Sequence, residues 1–232
     1  MRAEDKRHEV PAADIFGHET FKRRIPYILS SEELKLLLIA ASQLKPQKTI
    51  RPLTYSTLFA LLAATGIRIC EALALNVQDV SNDGLIIRNT KFRKNRLVPL
   101  HPSTQQGIQR YLNYRVKYGG GIDPALFISN SGTRLTYPTV NSIFLQLARS
   151  TGLRGKPGHP GVCIHDLRHR FAMKSLEQCS GNRAVVSRHM LALSTYLGHA
   201  HLSDTYWYLH STPVLMKQIA KTQEVFYRRN QS

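Results

Sequence analysis

The chain has 232 residues, 42% hydrophobic and 20% charged, the balance of an ordinary globular protein with room for one sizeable domain. Its charge is the exception: 32 Lys and Arg against 15 Asp and Glu, a formal +17, points to a polyanionic partner, nucleic acid before an anionic membrane. No stretch nears the roughly 18 apolar residues of a membrane span. Met1–Lys6 lacks the apolar core of a signal peptide, and three cysteines form no framework, so a cytoplasmic protein with reduced thiols is expected.

Residues 1–25 read as a lead-in or linker, and 26–232 as one domain. Ser30 and Glu33 form a capping-box pattern that opens a helix rich in leucine. A second helix spans about Pro52 to Ala64 and stops at Gly66. A third starts near Ile67 and carries Arg68 and Glu71 one turn apart. Residues 85–100 change period: Leu85–Ile87 and Leu97–Leu100 flank a basic turn, Lys91 to Asn95, and predict a β-hairpin. A helix from Ser103 to Tyr118 follows, then a short strand at Leu126–Ile128 and a helix over Tyr137–Ser150. A Gly/Pro-rich loop delivers the chain to His165, where a helix of about fifteen residues begins. Helices near 183–197, 203–209 and 213–229 close the chain. The fold class is mainly α with a small antiparallel β-sheet (α+β). Between Arg88 and Lys117 there are eight Lys and Arg and no acidic residue, so the positive charge is concentrated.

Three motifs carry chemistry. Arg68 with Glu71 alone is an ordinary surface ion pair. His165 and Arg168, three apart at a helix start, place an imidazole and a guanidinium near the positive end of the macrodipole, where both can donate to one anion. Leu197-Gly198-His199 is followed nine residues later by Tyr208. Arginines hold phosphate oxygens bidentately, and a tyrosine can attack the phosphate and retain it covalently. Zinc is disfavoured despite ten histidines, because HExxH and CxxC patterns are absent and the surroundings are cationic. No G-x-S-x-G elbow supports a serine nucleophile.

The ordered set Arg68, Lys91, His165, Arg168, His199, Tyr208 resembles the tyrosine recombinase/integrase family over roughly residues 25–230. The matching strings are Ala64–Leu73, Thr90–Leu100, His165–Ala172 and Leu197–His199. The resemblance implies the family's catalytic-domain architecture. It implies that Tyr208 attacks a DNA phosphodiester to give a 3′-phosphotyrosine, with no nucleotide cofactor and no metal. Arg68 and Arg168 would clamp the non-bridging oxygens, His165 and His199 would add hydrogen bonds and manage the tyrosine proton, and Lys91 would protonate the leaving 5′-oxygen. Glu71 would orient Arg68 or a histidine. Arg88, Arg93, Lys94, Arg96 and Arg110 would contact the DNA backbone. The expected partner is double-stranded DNA, bound by a homo-oligomer that forms a synaptic tetramer, with no membrane involved and residues 213–229 exchanged between neighbours. Members normally carry an N-terminal helical DNA-binding domain, which residues 1–25 are too short to supply. The stretch Asn182 to Leu197 is longer than in many members. The alternatives are a truncated, non-catalytic DNA-binding remnant and a type IB topoisomerase-like activity.

Overall fold

Ser30 starts the first helix as expected. Its Oγ accepts from the Glu33 amide at 3.1 Å while its own amide donates to Glu33 Oε2 at 2.8 Å, and this capping box opens α1 (Ser31–Ser42). Glu33 also accepts from the Tyr27 hydroxyl, which pushes the tyrosine's pKa up to about 12. The computed structural model describes residues 26–88, 95–118, 123–155, 161–179 and 183–198. Lys91, Arg93, Lys94, His199 and Tyr208, and the helices expected over 203–209 and 213–229, lie outside them.

The second helix, α2 (Arg51–Thr65), has Pro52 in its first turn, where a missing amide proton costs nothing. It ends at Gly66, whose φ of +62° turns the chain sharply. The short α3 (Ile69–Ala74) begins two residues later than expected, so Arg68 is its N-cap and not a helical residue. Strands β1 (Val80–Ser81), β2 (Gly84–Ile87) and β3 (Arg96–Val98) form an antiparallel sheet in sequence order. The predicted hairpin is β2–β3, with Leu85 opposite Val98 and Ile87 opposite Arg96. Leu85, Ile87 and Val98 are buried and Leu97 is exposed, so the Ile87–Arg96 pair lies on the core face.

Helix α4 (Pro102–Arg115) runs on through a 3₁₀ turn to Tyr118. The strand expected at Leu126–Ile128 is not formed. Only isolated bridges join Asn76 to Ala125 and Ile128 to Arg134. The backbone there is satisfied piecemeal: the Leu126 amide donates to the Leu75 carbonyl at 2.8 Å and the Ile128 amide to the Tyr111 hydroxyl at 3.2 Å. Helix α5 (Tyr137–Ser150) buries Val140, Ile143, Phe144, Leu147 and Ala148, a single stripe at helical spacing. Helices α6 (Asp166–Glu177), shorter than expected, and α7 (Arg183–Leu197) follow.

Helix α2 is central and packs against α1, α4 and α6. Phe59 meets Phe144 edge-on with centroids 5.3 Å apart, and Leu58, Leu61 and Ile50 fill the space around them. A smaller cluster of Ala172, Met173, Leu176, Met190, Leu193 and Leu197 joins α6 to α7. The consequence for function is positional. The end of α2, the start of α6 and the end of α7 converge beside the sheet.

Candidate active site

Arg168 is a buried charge. It is 3% exposed, and a guanidinium that deep needs partners. Its Nη1 donates to the Gly66 carbonyl at 2.6 Å and its Nη2 to the Leu197 carbonyl at 2.8 Å. It thereby ties α6 to the ends of α2 and α7. Gly66 has no side chain to spare, since a Cβ there would overlap the Phe171 ring and press on Leu197.

Arg68 reaches the same turn from the other side. Its Nη2 donates to the Gly198 carbonyl at 2.9 Å, next to the carbonyl that Arg168 holds. Its Nη1 donates to Glu71 Oε1 at 3.1 Å, and its backbone amide donates to Glu71 Oε2 at 2.8 Å. The second contact is half of a capping box and explains why α3 starts where it does. Glu71 also receives Arg96, with Nη1 at 2.9 Å and Nη2 at 2.7 Å, an end-on bidentate pair. Burial pulls the Glu71 pKa up, but the Arg96 hydrogen bonds, the Arg68 amide and both positive charges outweigh it. The net direction is down, and Glu71 is a carboxylate.

His165 is the N-cap of α6. Asp166 fixes the turn beneath it, accepting from the Cys163 amide at 2.7 Å and the Tyr27 amide at 3.2 Å. The His165 ring stands edge-on to His169 at 4.6 Å. Burial of the ring, then the charge of Arg168, lower its pKa below the ordinary 6.5; Asp166 pulls it up, and Arg68 adds a smaller downward push. His165 nonetheless keeps an exposed surface, so the charge of Arg168 is the firmer cause. A neutral imidazole can accept a proton.

The structure therefore brings Arg68, His165 and Arg168 together with Leu197 and Gly198, the two residues before His199. Glu71 is in contact with Arg68 and Arg96. Arg96 does not lie where a DNA contact was expected. It points inwards, with a side chain 14% exposed, because its register partner Ile87 faces the core. Arg88 is half exposed and donates from Nε to the buried Asp79 at 2.6 Å. Arg110 is exposed on α4 and borders a groove with Leu38, Leu53 and Gly107. Four contributors were missed from sequence: the Gly66, Leu197 and Gly198 carbonyls, which no side-chain pattern reveals, and Arg134. Arg134 donates to the Leu73 carbonyl at 2.7 Å and to Asn76 Oδ1 at 2.6 Å, bracing the end of α3. Among the described residues no cluster of His, Cys, Asp and Glu could hold a metal ion, and no helix is long and apolar enough to cross a membrane.

Two anchored guanidiniums and a neutral imidazole around one turn suit a singly charged, oxygen-rich group such as a phosphodiester. The comparisons with known proteins agree with that chemistry. Residues 28–214 match the phage integrase family. The chain is 39% identical over 229 residues to "Putative integrase/recombinase y4rB" of Sinorhizobium fredii, covering 96% of this chain and 73% of that one. It is 30% identical over 212 residues to tyrosine recombinase XerD of Caulobacter vibrioides, covering 89% of this chain and 65% of that one. The crystal structure of XerA recombinase superposes with a TM-score of 0.67 at 25% identity, covering 86% of this chain and 66% of that one. The chain thus spans about two thirds of the length of these relatives and belongs to the phage integrase family of tyrosine recombinases.

Proposed function

We propose that this chain is the catalytic part of a site-specific recombinase that cleaves and rejoins duplex DNA, serving integration, excision or transposition of a mobile element. The observation that carries the reading is the convergence of Gly66–Glu71, His165–Arg168 and Leu197–Gly198 on one turn through Arg68 and Arg168. Further support comes from the XerH recombinase bound to its difH substrate, similar at 25% identity and a TM-score of 0.62.

In this mechanism Tyr208 Oη attacks the scissile phosphorus, and the bond to the 5′-oxygen breaks. A 3′-phosphotyrosine forms and a 5′-hydroxyl leaves. The phosphoryl bond energy is conserved, so rejoining runs the same steps backwards without a nucleotide. Arg68 and Arg168 stabilise charge on the non-bridging oxygens, the contribution that usually dominates such catalysis. His165, held neutral, and His199 manage the tyrosine proton, and Lys91 gives a proton to the leaving oxygen. The working assembly in this reading is a tetramer on two DNA sites, with residues 213–229 exchanged between neighbours.

A nicked suicide substrate tests the chemistry. Loss of the short strand beyond the cut should trap a covalent adduct on denaturing gels. Tyr208→Phe should abolish the adduct and Tyr206→Phe only reduce it. An adduct that persists in Tyr208→Phe would reassign the nucleophile, and its absence from the wild-type chain would reject the reading.

A further inference from the structure

Both tethers of Arg68 rest on a third arginine. The first is Glu71. This carboxylate has side-chain exposure of 10% and accepts Arg68 through Oε1. Arg96 grips both carboxylate oxygens end-on through Nη1 and Nη2, at 2.9 and 2.7 Å. The second tether is the Gly198 carbonyl. The Arg96 guanidinium lies against that glycine, where an added Cβ would sit 3.0 Å from Arg96 Nη1 and 3.6 Å from Arg68 Nη1. Arg96 is held to this place by its strand: it pairs with Ile87 on the core face of β3.

We propose that Arg96 is a positioning residue for Arg68, acting through Glu71 and the Gly198 turn, and not a contact to DNA. This rests on the reading that Arg68 holds the scissile phosphate. The alternative requires Arg96 to meet phosphate from solvent. Its low exposure and the commitment of both its Nη atoms to Glu71 oppose that. Arg68 has five N–H donors. Two are spent on its tethers, and the rest can face an anion only while those tethers hold. Arg96 also begins β3, so it links that strand to α3 through one ion pair.

The test uses the whole chain and a nicked duplex recovered as covalent adduct from a randomised pool. Arg96→Met and Glu71→Gln should each slow single-turnover cleavage at saturating DNA by roughly 10²-fold, the scale of a misplaced catalytic group. DNA affinity and its salt dependence should stay unchanged. The double variant should be no slower than the slower single variant, because both act through Arg68. A second substrate replaces one non-bridging oxygen of the scissile phosphate by methyl, removing the charge that Arg68 serves. On it, Arg68→Ala and Arg96→Met should both approach the wild-type rate, whereas a general folding defect would slow both substrates alike. Arg96→Lys keeps the charge but cannot bridge both carboxylate oxygens, and it carries the same measurements if Arg96→Met does not fold. Wild-type cleavage with weaker binding and a salt slope shallower by about one would make Arg96 a phosphate contact and overturn the proposal. Failure of both variants to fold would reduce Arg96 to a structural pin and also overturn it. No adduct from the wild-type chain would sink the DNA-cleaving reading and this one with it.

Discussion

Arg168 on α6 donates from Nη2 to the main-chain carbonyl of Leu197 at 2.8 Å, across 29 residues of sequence. A residue expected to clamp phosphate is therefore also the latch that fixes the turn leading to His199. Binding and positioning share one side chain, so its substitution should show two separable losses. Arg168→Lys keeps a charge but has one ammonium for two carbonyls on different helices. Cleavage should fall by roughly 10²–10³-fold, as for loss of one preorganised donor. Stability should fall by about 1–3 kcal/mol, the cost of a buried carbonyl left without its partner. Denaturant melts read the second loss without DNA. An unchanged unfolding midpoint would mean the carbonyl bonds contribute nothing to the fold.

Gly198 should not tolerate alanine. Its φ is +67°, which costs an L-residue about 1 kcal/mol or more. The new methyl would also press on Arg96 Nη1 at 3.0 Å. That guanidinium cannot swing away freely, because both its Nη atoms hold Glu71. The expected outcome is a cleavage loss of roughly 10²-fold in Gly198→Ala at near-normal DNA affinity. Wild-type turnover in this variant would show that the turn has slack that the guanidinium packing does not suggest.

Much of this arrangement was legible before any coordinates. The Ser30–Glu33 box, the stop at Gly66 and the β2–β3 hairpin depend on residues within a few positions of one another, and local chemistry decides them. The reversal of Arg96 was also readable in principle. Val98 must face the core, and in a strand the residue two before it faces the same way. The concentration of positive charge between Arg88 and Lys117 points instead to outward-facing phosphate contacts, because net charge carries no information about which face of a strand a residue takes. The partners of Arg68 and Arg168 were beyond reach. They are carbonyls of Gly66, Leu197 and Gly198, set by how three helices pack, and a carbonyl has no letter in the sequence. The missing strand at Leu126–Ile128 failed for a related reason: its apolar residues are buried by helices, and its amides found partners one at a time.

His165 should titrate below an ordinary histidine. Crowding and the charges of Arg168 and Arg68 disfavour its protonated form. The sign follows from linkage. The native state binds this proton more weakly than the unfolded chain, so the stabilising effect is complete above the ordinary value near 6.5 and is lost as pH falls below it. A bound phosphodiester adds a negative charge beside the ring and should move the pKa up. Proton NMR of the imidazole, assigned with His165→Asn, should give a free-protein midpoint under 6.5 that rises on adding duplex DNA. A midpoint at or above the ordinary value in free protein would mean that the arginines do not set the protonation state of this ring.

Lys91→Ala should slow cleavage by roughly 10²–10⁴-fold if that lysine supplies the proton to the leaving oxygen. A substrate with sulfur at the 5′-bridging position needs no such proton and should recover most of the rate. If the sulfur substrate is cleaved as slowly as the oxygen one, the acid is another group, with Lys94, three residues on in the sequence, the first to examine.

The exposed arginines should differ in what they contribute to DNA binding. With a formal +17, most affinity should come from phosphate contacts and fall steeply as salt rises. Arg110 is exposed on α4 and can add its full charge to a phosphate, releasing about one counterion. Arg88 is half exposed, but its charge is already offset by Asp79 at 2.6 Å, a carboxylate held in place by the Asn76 amide at 2.9 Å. Swinging Arg88 onto DNA would leave a buried carboxylate without its cation, and that cost cancels much of the gain. Arg110→Ala should therefore reduce the slope of log affinity against log salt by about one, and Arg88→Ala by clearly less. Titrations of a labelled duplex at four salt concentrations resolve slopes of that size. Equal slopes for wild type and Arg110→Ala would take α4 out of the DNA interface and place the groove beside Leu38 and Gly107 on a face that DNA does not cover.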